Sequence, residues 1–149
     1  MPIETSQIDA DQSSPEARSR RSAIDRFLDA ILGADIESCT AWAPGVHLDA
    51  TVPNWRLEAD GIAEVRAEYS RWFADPGQFE ELQRLVTSTG EVIDYVLTWT
   101  ENGVPHAAHH MHILEIEDGL IASDTVMCGG RWSADLLAEI EAAGSRSDS

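Results

Sequence analysis

The second half of the chain consists of long stretches in which apolar and polar residues alternate, and this pattern constrains the fold most strongly. Four such stretches follow one another, at residues 79–90, 91–103, 104–119 and 120–130, and each ends in a segment that contains glycine. Alternation with a period of two is typical of strands that bury one face, and short glycine turns join neighbouring strands in antiparallel order. The pattern therefore predicts a meander of four antiparallel strands.

The first half of the chain has a helical period instead. "SSPEARSRRSAIDRFLDAILGAD" begins with a serine cap and a proline, and its apolar residues recur every three or four positions. "DIESCTAWA" predicts a short second helix, "VHLDATV" a strand, "VPNWRLEADG" a loop and "GIAEVRAEYSRWFADPG" a third helix, while "SADLLAEIEAAG" predicts a closing helix. Helices followed by strands predict an α+β domain over residues 15–144, between a disordered arm at 1–14 and a disordered tail at 145–149.

Composition removes several classes of function. The formal net charge of −17 repels phosphate backbones and anionic membranes, so neither nucleic acid nor a membrane is an expected partner. All ten basic residues are arginine, which excludes Schiff-base chemistry at a lysine, as in pyridoxal enzymes. The cysteines Cys39 and Cys128 form no disulfide or zinc pattern, and the N-terminal residues lack the apolar core of a signal peptide. We therefore expect a reduced, cytoplasmic protein.

Four of the five histidines lie within seven positions, in "HAAHHMH". Residues two apart in a strand share a face, so His110 and His112 are expected to face one way and His109 the other, although a single bulge would reverse this assignment. The H-x-H spacing suits a transition metal. However, Glu117 falls on the opposite face and no histidine follows, so we predict neither a metal nor a cofactor.

Several segments together resemble the SnoaL-like group of the nuclear transport factor 2-like superfamily. The resemblance spans roughly residues 18–143. The residues and segments that match the family pattern are Trp42, Val52, Pro53, Gly61, Tyr69, Trp72, Phe73, "HILEIEDGLI" and "CGGRW". It implies a cone in which a bent sheet wraps round a long helix and encloses an apolar pocket, and it implies a homodimer through the outer sheet face. The superfamily includes ketosteroid isomerase, scytalone dehydratase, limonene epoxide hydrolase and polyketide cyclases, as well as members without catalytic activity.

The resemblance also implies a catalytic set. The position of the buried carboxylic acid that holds the oxyanion in ketosteroid isomerase falls on His112, and Asp124, five residues after Gly119, is expected to face the same pocket. Asp124 also matches the acid–base aspartate that polyketide cyclases carry on a late strand. With His110, these residues form an imidazole–carboxylate set suited to general acid–base catalysis.

Two reactions of the superfamily do not match the chain. The catalytic aspartate on the first strand of ketosteroid isomerase is replaced by Thr51, Val52 or Pro53. Limonene epoxide hydrolase needs an arginine in contact with two aspartates, and the stretches 91–103 and 104–119 contain no arginine. Scytalone dehydratase, which uses pocket histidines, tyrosines and an aspartate, is the nearest match in residue types.

The sequence thus predicts a small cofactor-independent enzyme that binds a hydrophobic polyketide-like or terpenoid-like molecule. Its reaction would be an acid–base cyclisation, dehydration or isomerisation. The alternative is a non-catalytic small-molecule-binding or dimeric interaction module in which the histidines stabilise an interface. Arg131, after two glycines, could pair with an anionic substrate group or with an acidic neighbour. The residues predicted to bind the substrate are Trp42, Trp55, Tyr69, Trp72, Phe73, Asp94 and Trp132.

Overall fold

The computed structural model describes residues 14–148, which form three helices and six strands. In chain order these are α1 (Pro15–Gly33), a 3-10 turn (Ile36–Ser38), β1 (Trp42–Val52), β2 (Trp55–Asp60), α2 (Ile62–Trp72), β3 (Gly77–Val86), β4 (Gly90–Glu101), β5 (Val104–Glu117), β6 (Leu120–Ser133) and α3 (Ala134–Asp148). The predicted disordered arm, apart from Ser14, lies outside the described residues. The last helix is described beyond residue 144, where the predicted domain ends, and the predicted disorder of the tail stays a prediction. Within residues 14–148, no helix is long and apolar enough to cross a membrane.

All six strands belong to one sheet, in the order β2-β1-β6-β5-β4-β3. The strands β3 to β6 form the predicted antiparallel meander, and β1 joins it by pairing in parallel with β6. The sheet is curved and does not close into a barrel. The predicted α+β cone is therefore confirmed.

Helices α1 and α2 cover one face of the sheet, and the core lies between them and the strands. The Ser14 hydroxyl accepts a hydrogen bond of 3.1 Å from the backbone N–H of Ala17, and Pro15 occupies the first turn, which explains where α1 begins. Its apolar stripe is buried, as the helical period predicts. The largest fully buried side chains include Tyr69, Tyr95, Phe27, Ile24, Ile31, Leu48, Ile93, Leu114 and His112.

The segment predicted as a loop after β1 contains a further strand. A tight turn, with Asn54 at φ 66°, reverses the chain, and β2 then pairs antiparallel with β1. Two ion pairs join the strands: Nδ1 of His47 lies 2.6 Å from Asp60, and Nη2 of Arg56 lies 2.6 Å from Asp49. Because β2 is an edge strand with one fully buried side chain, its sequence shows little alternation, and the loop prediction is wrong for this reason.

The predicted short helix in "DIESCTAWA" is reduced to the three-residue 3-10 turn. Trp42 already begins β1, where it lies opposite Ile121 of β6. The pairing with β6 therefore overrides the weak helical preference of the segment.

A β-bulge near the start of β6 changes which of its side chains face the core. Glu115 pairs with Ser123 but Ile116 pairs with Ile121, so Ala122 is an extra residue in β6. Ile121 is consequently buried and Ala122 is not, contrary to the simple alternation of the sequence. After the bulge the predicted parity holds, and Asp124 faces the core.

Candidate active site

Asp124 lies at the centre of a buried polar cluster formed by β5, β6 and α2. The Tyr69 hydroxyl donates a hydrogen bond of 2.5 Å to Oδ2 of Asp124, and Nδ1 of His112 lies 3.0 Å from Oδ1. All three side chains have 0% exposure. A buried carboxylate is costly unless donors replace its water. The two donors therefore explain how Asp124 is accommodated in an apolar core.

Tyr95 on β4 extends this cluster towards the surface. Its hydroxyl oxygen lies 2.9 Å from Nε2 of His112 and 3.0 Å from Nδ1 of His110. The strand register makes this contact possible, because it places Tyr95 directly opposite His110. A hydroxyl has one proton, so Tyr95 donates to one imidazole and accepts from the other. Five side chains thus form one continuous chain of hydrogen bonds, hereafter the buried relay: Tyr69, Asp124, His112, Tyr95 and His110.

The His110 end of the buried relay reaches a partly open cavity of about 490 Å³. His110 is 4% exposed, and its ring centroid lies 5.5 Å from that of Trp72 and 5.6 Å from that of Phe73. Nδ1 is engaged by Tyr95, whereas Nε2 has no hydrogen-bond partner among residues 14–148. Nε2 is therefore available to a ligand. The cavity is lined by Val52, Pro53, Glu68, Arg71, Trp72, Leu97, Trp99, Ala108, His110, Cys128, Gly130 and Arg131.

A larger groove, of about 760 Å³, lies between α1 and the β3–β4 turn. Two ion pairs lie among its lining residues: Arg20 with Glu16, and Arg84 with Glu91. No residue of the buried relay lines it. The smaller cavity is therefore the better candidate for a chemical site.

Burial determines the protonation states in the buried relay. Burial, and to a smaller extent the imidazoles of His112 and His109, lower the pKa of His110 to about 3. Burial also raises the pKa of both Tyr69 and Tyr95 well above the usual value, and the negative charge of Asp124 adds to the shift. At neutral pH, His110 is consequently uncharged and both tyrosines keep their protons.

These hydrogen bonds permit two arrangements of the protons. When the Tyr95 hydroxyl donates to Nε2 of His112, it accepts from Nδ1 of His110, and Nε2 of His110 then presents a lone pair to the cavity. When Nε2 of His112 carries a proton, the order reverses and Nε2 of His110 carries one too. The second arrangement holds one proton more than the first, so a proton taken up at Nε2 of His110, together with a concerted shift towards His112, converts the base form into the acid form.

The three residues predicted as catalytic are brought together, at different depths. His110 lines the cavity, whereas His112 and Asp124 lie beneath it. Among the predicted substrate-binding residues, Trp72 lines the cavity. Trp42, Tyr69 and Phe73 are buried in the core behind it.

Three of the predicted substrate-binding residues lie away from the lining of this cavity. Trp55 is 72% exposed at the start of the edge strand β2. Asp94 lies on the outer face of the sheet, with Oδ1 2.5 Å from Nε2 of His109. Trp132 is not a lining residue: the register places it opposite Ala107, whereas Arg131, opposite the lining residue Ala108, does line the cavity.

Tyr95 is the main functional candidate that the sequence prediction missed. The signal was present in β4: Ile93, Tyr95 and Leu97 form an apolar set, while Asp94 lies in the alternate set. Polar residues in one set indicate the solvated face, so the other set should have been assigned to the core. Trp99 shares the inward face of β4 with Tyr95, and Cys128 shares the inward face of β6 with Asp124. Both side chains line the cavity.

Solved structures share this architecture. A provisionally named isomerase from Bacillus subtilis aligns with a TM-score of 0.64 and 14% identity over 78% of this chain and 90% of its own. A provisionally named polyketide cyclase from Xanthomonas campestris aligns with a TM-score of 0.60 and 15% identity over 74% of this chain and 90% of its own. An NTF2-like protein of unknown function from Mesorhizobium loti aligns with a TM-score of 0.61 and 17% identity over 78% of this chain and 96% of its own.

No family model and no curated protein sequence matches the chain. At such low identities the structural similarity concerns the fold and not the reaction. The chain therefore has the nuclear transport factor 2-like fold.

Proposed function

We propose that the protein is a cofactor-independent enzyme that moves protons on a small hydrophobic molecule. The observation that carries this proposal is the buried relay, which begins at Asp124 and ends with an uncharged imidazole at the wall of a ligand-sized cavity. Structural neighbours named as an isomerase and as a polyketide cyclase add support at the level of the fold. Acid–base cyclisation, dehydration and isomerisation are the candidate reactions.

The first chemical step is removal of a proton from carbon next to a carbonyl group. Nε2 of His110 accepts the proton, and the electron pair of the C–H bond moves into an enolate. The Nδ1 proton of His110 passes to the oxygen of Tyr95, whose own proton passes to Nε2 of His112. The positive charge then resides on His112, 3.0 Å from the carboxylate of Asp124. This transfer explains how an imidazole with a pKa of about 3 can act as a base.

The three candidate reactions differ in the fate of the enolate. Return of the proton to a different carbon gives isomerisation. Delivery of the proton to a departing hydroxyl gives dehydration, and attack of the enolate on a second carbonyl of the same molecule gives cyclisation. In each, the acid form of His110 supplies the proton that its base form removed.

The cavity is suited to a polyketide-like or terpenoid-like molecule. Its apolar lining includes Trp72, Leu97 and Trp99, and about 490 Å³ lies within the usual range of small-molecule sites, roughly 300–1,000 Å³. Such a wall excludes water, which strengthens the electrostatic contacts of the reacting groups.

A generic carbon acid tests the proposal without knowledge of the substrate. Ring opening of 5-nitrobenzisoxazole begins with proton removal from carbon by a base and yields a coloured nitrophenolate. We expect the wild type to accelerate this reaction above buffer, and His110→Asn to lower kcat/KM by about 100-fold. His109→Asn, altered at the next residue but on the outer face, should retain the wild-type rate. A folded His110→Asn variant that opens 5-nitrobenzisoxazole at the wild-type rate would contradict the proposal.

The second candidate function is a ligand-binding module without catalysis. It is favoured by the full burial of His112 and Asp124, since a purely structural polar network in a core would also be closed to solvent. In that event the wild type binds the benzisoxazole but opens it no faster than buffer does.

A reducing, cytoplasmic setting also remains part of the proposal. Its support is that Cys39 and Cys128 are both free thiols. Burial raises the pKa of each thiol, which keeps both protonated and slow to react at neutral pH.

A further inference from the structure

We propose that the molecule bound in the cavity carries a carboxylate, which pairs with the guanidinium groups of Arg71 and Arg131 at the cavity opening. The inference rests on the proposed function, because it names the class of substrate that would reach His110. It narrows the expected ligand from a hydrophobic molecule to an aromatic or extended apolar acid.

The cavity opening differs in charge from the rest of the protein surface. The chain has a formal net charge of −17. The charged side chains that line the cavity are Arg71, Arg131 and Glu68, since His110 is neutral. Glu101, which pairs with Arg131 from outside the lining, balances the remaining positive charge, so the opening is neutral within a strongly acidic protein. An anion is repelled less at such an opening than at the rest of the surface, and the two guanidinium groups supply N–H donors to it.

Arg131 is held in position for a ligand. Its guanidinium carbon lies 5.4 Å from the ring centroid of Trp99, and Nη2 donates a hydrogen bond to Oε1 of Glu101, which does not line the cavity. A guanidinium has five N–H groups in a rigid plane. Glu101 is the one hydrogen-bond acceptor that Arg131 has among residues 14–148, so further donors remain for a carboxylate.

Arg71 approaches the same cavity from α2. Its Nη2 donates to Oε2 of Glu68, three residues earlier in the helix, and the remaining N–H groups have no acceptor within the described residues. The side chain is 69% exposed. Arg71 and Arg131 thus offer donors from a helix and from a strand to one ligand group at the opening.

The exposure of these residues also orients the ligand. The arginine side chains are 69% and 56% exposed, whereas His110 is 4% exposed, so the arginines lie at the solvent end of the cavity and the imidazole at the inner end. Trp72 and Trp99 line the space between. A bound acid therefore places its apolar frame along the tryptophans. The carbon that loses a proton lies at the end of the molecule remote from the carboxylate.

Calorimetric titration of the full-length protein with 2-naphthoate and with 2-naphthamide tests this inference. The two probes share size and aromatic surface and differ in charge. We expect 2-naphthoate to bind about tenfold more tightly, because a charge-assisted hydrogen bond contributes more than a neutral one. Equal affinities, a preference for the amide or no binding of either probe would each overturn the inference.

Charge-balanced variants identify the residues responsible. In E68Q/R71Q/E101Q/R131Q both ion pairs are replaced without a change in net charge, and we expect equal, amide-like affinities for the two probes. The matched control D49N/R56Q, which removes an ion pair on β1 and β2, should keep the tenfold preference. Preference retained in the quadruple variant, with a melting curve like that of the wild type, would contradict the assignment.

The same titration separates this inference from the proposed function. His110→Asn removes the base but not the arginines, so the preference for 2-naphthoate should persist in it. If the wild type binds 2-naphthoate more tightly than 2-naphthamide but does not accelerate the opening of 5-nitrobenzisoxazole, the proposed enzymatic function is refuted and the acid-binding site is retained. If the wild type accelerates the ring opening but binds the two probes equally, only the acid-binding site is refuted.

Discussion

The hydroxyl oxygen of Tyr95 lies 2.9 Å from Nε2 of His112, and neither side chain is exposed. Because the same hydroxyl contacts His110, Tyr95→Phe cuts the buried relay while leaving the residues that line the cavity unchanged. We expect kcat for 5-nitrobenzisoxazole to fall by about 10- to 100-fold, with little change in KM, since general acid–base transfer contributes about 100-fold or more. Steady-state kinetics measures both. An unchanged kcat would show that His110 acts without His112.

Asp124 should contribute strongly to stability, because Tyr69 and His112 both depend on it. Asp124→Ala leaves two buried donors unpaired and should lower the free energy of unfolding by about 3–5 kcal/mol. Asp124→Asn keeps one acceptor and should cost about 1–3 kcal/mol. Urea unfolding followed by tryptophan fluorescence measures both changes. Asp94→Ala, which removes the exposed partner of His109, serves as the control and should cost about 1 kcal/mol or less.

The low pKa of His110 predicts a specific pH dependence of stability. In the folded state this pKa is about 3, against the ordinary value of 6.5, so between these pH values the unfolded chain binds a proton that the folded protein does not. Stability is therefore lost as the pH falls below 6.5. From pH 6.5 to pH 5, the wild type should lose about 1.5 kcal/mol more than His110→Gln does. Equal losses in urea unfolding would contradict the neutral, buried imidazole.

The outer face of the sheet is the proposed surface for a homodimer, which the sequence resemblance implies. Met111 of β5 lies directly opposite Met127 of β6, and these side chains are 43% and 62% exposed. Apolar pairs of this kind favour burial against a second copy. Sedimentation equilibrium should give a dimer for the wild type and a monomer for M111E/M127E, while M111L/M127L remains dimeric. A monomeric wild type at all concentrations would refute the proposal.

The sequence predicts the meander and the facing of its histidines well, because β5 alternates without interruption from His110 to Ile116. Asp124 was assigned to the correct face in spite of a bulge that simple alternation does not reveal. The bulge arises from pairing between two strands, and a single strand's sequence carries little information about it.

The sequence does not predict how deeply each site residue is buried beneath the cavity. Whether His110 or His112 reaches the cavity depends on how α2 covers the sheet, and strand parity is the same for both. Tyr95 was missed because its role depends on the register between β4 and β5, which places it opposite His110. Edge strand β2 was missed because its pairing, rather than its own pattern, makes it a strand.

The parallel pairing of β1 with β6 places Leu48 opposite Asp124, so the first and the last strand lie side by side in the middle of the sheet. During synthesis β1 leaves the ribosome long before its partner strand exists. β2 can pair with one edge of β1 soon afterwards, but the other edge stays open until β6 has been added, and such long-range contacts slow folding. Asp124, the carboxylate of the buried relay, arrives on that last strand. A chain that ends before β6 would lack both the strand that joins β1 to the meander and the carboxylate that pairs with Tyr69 and His112.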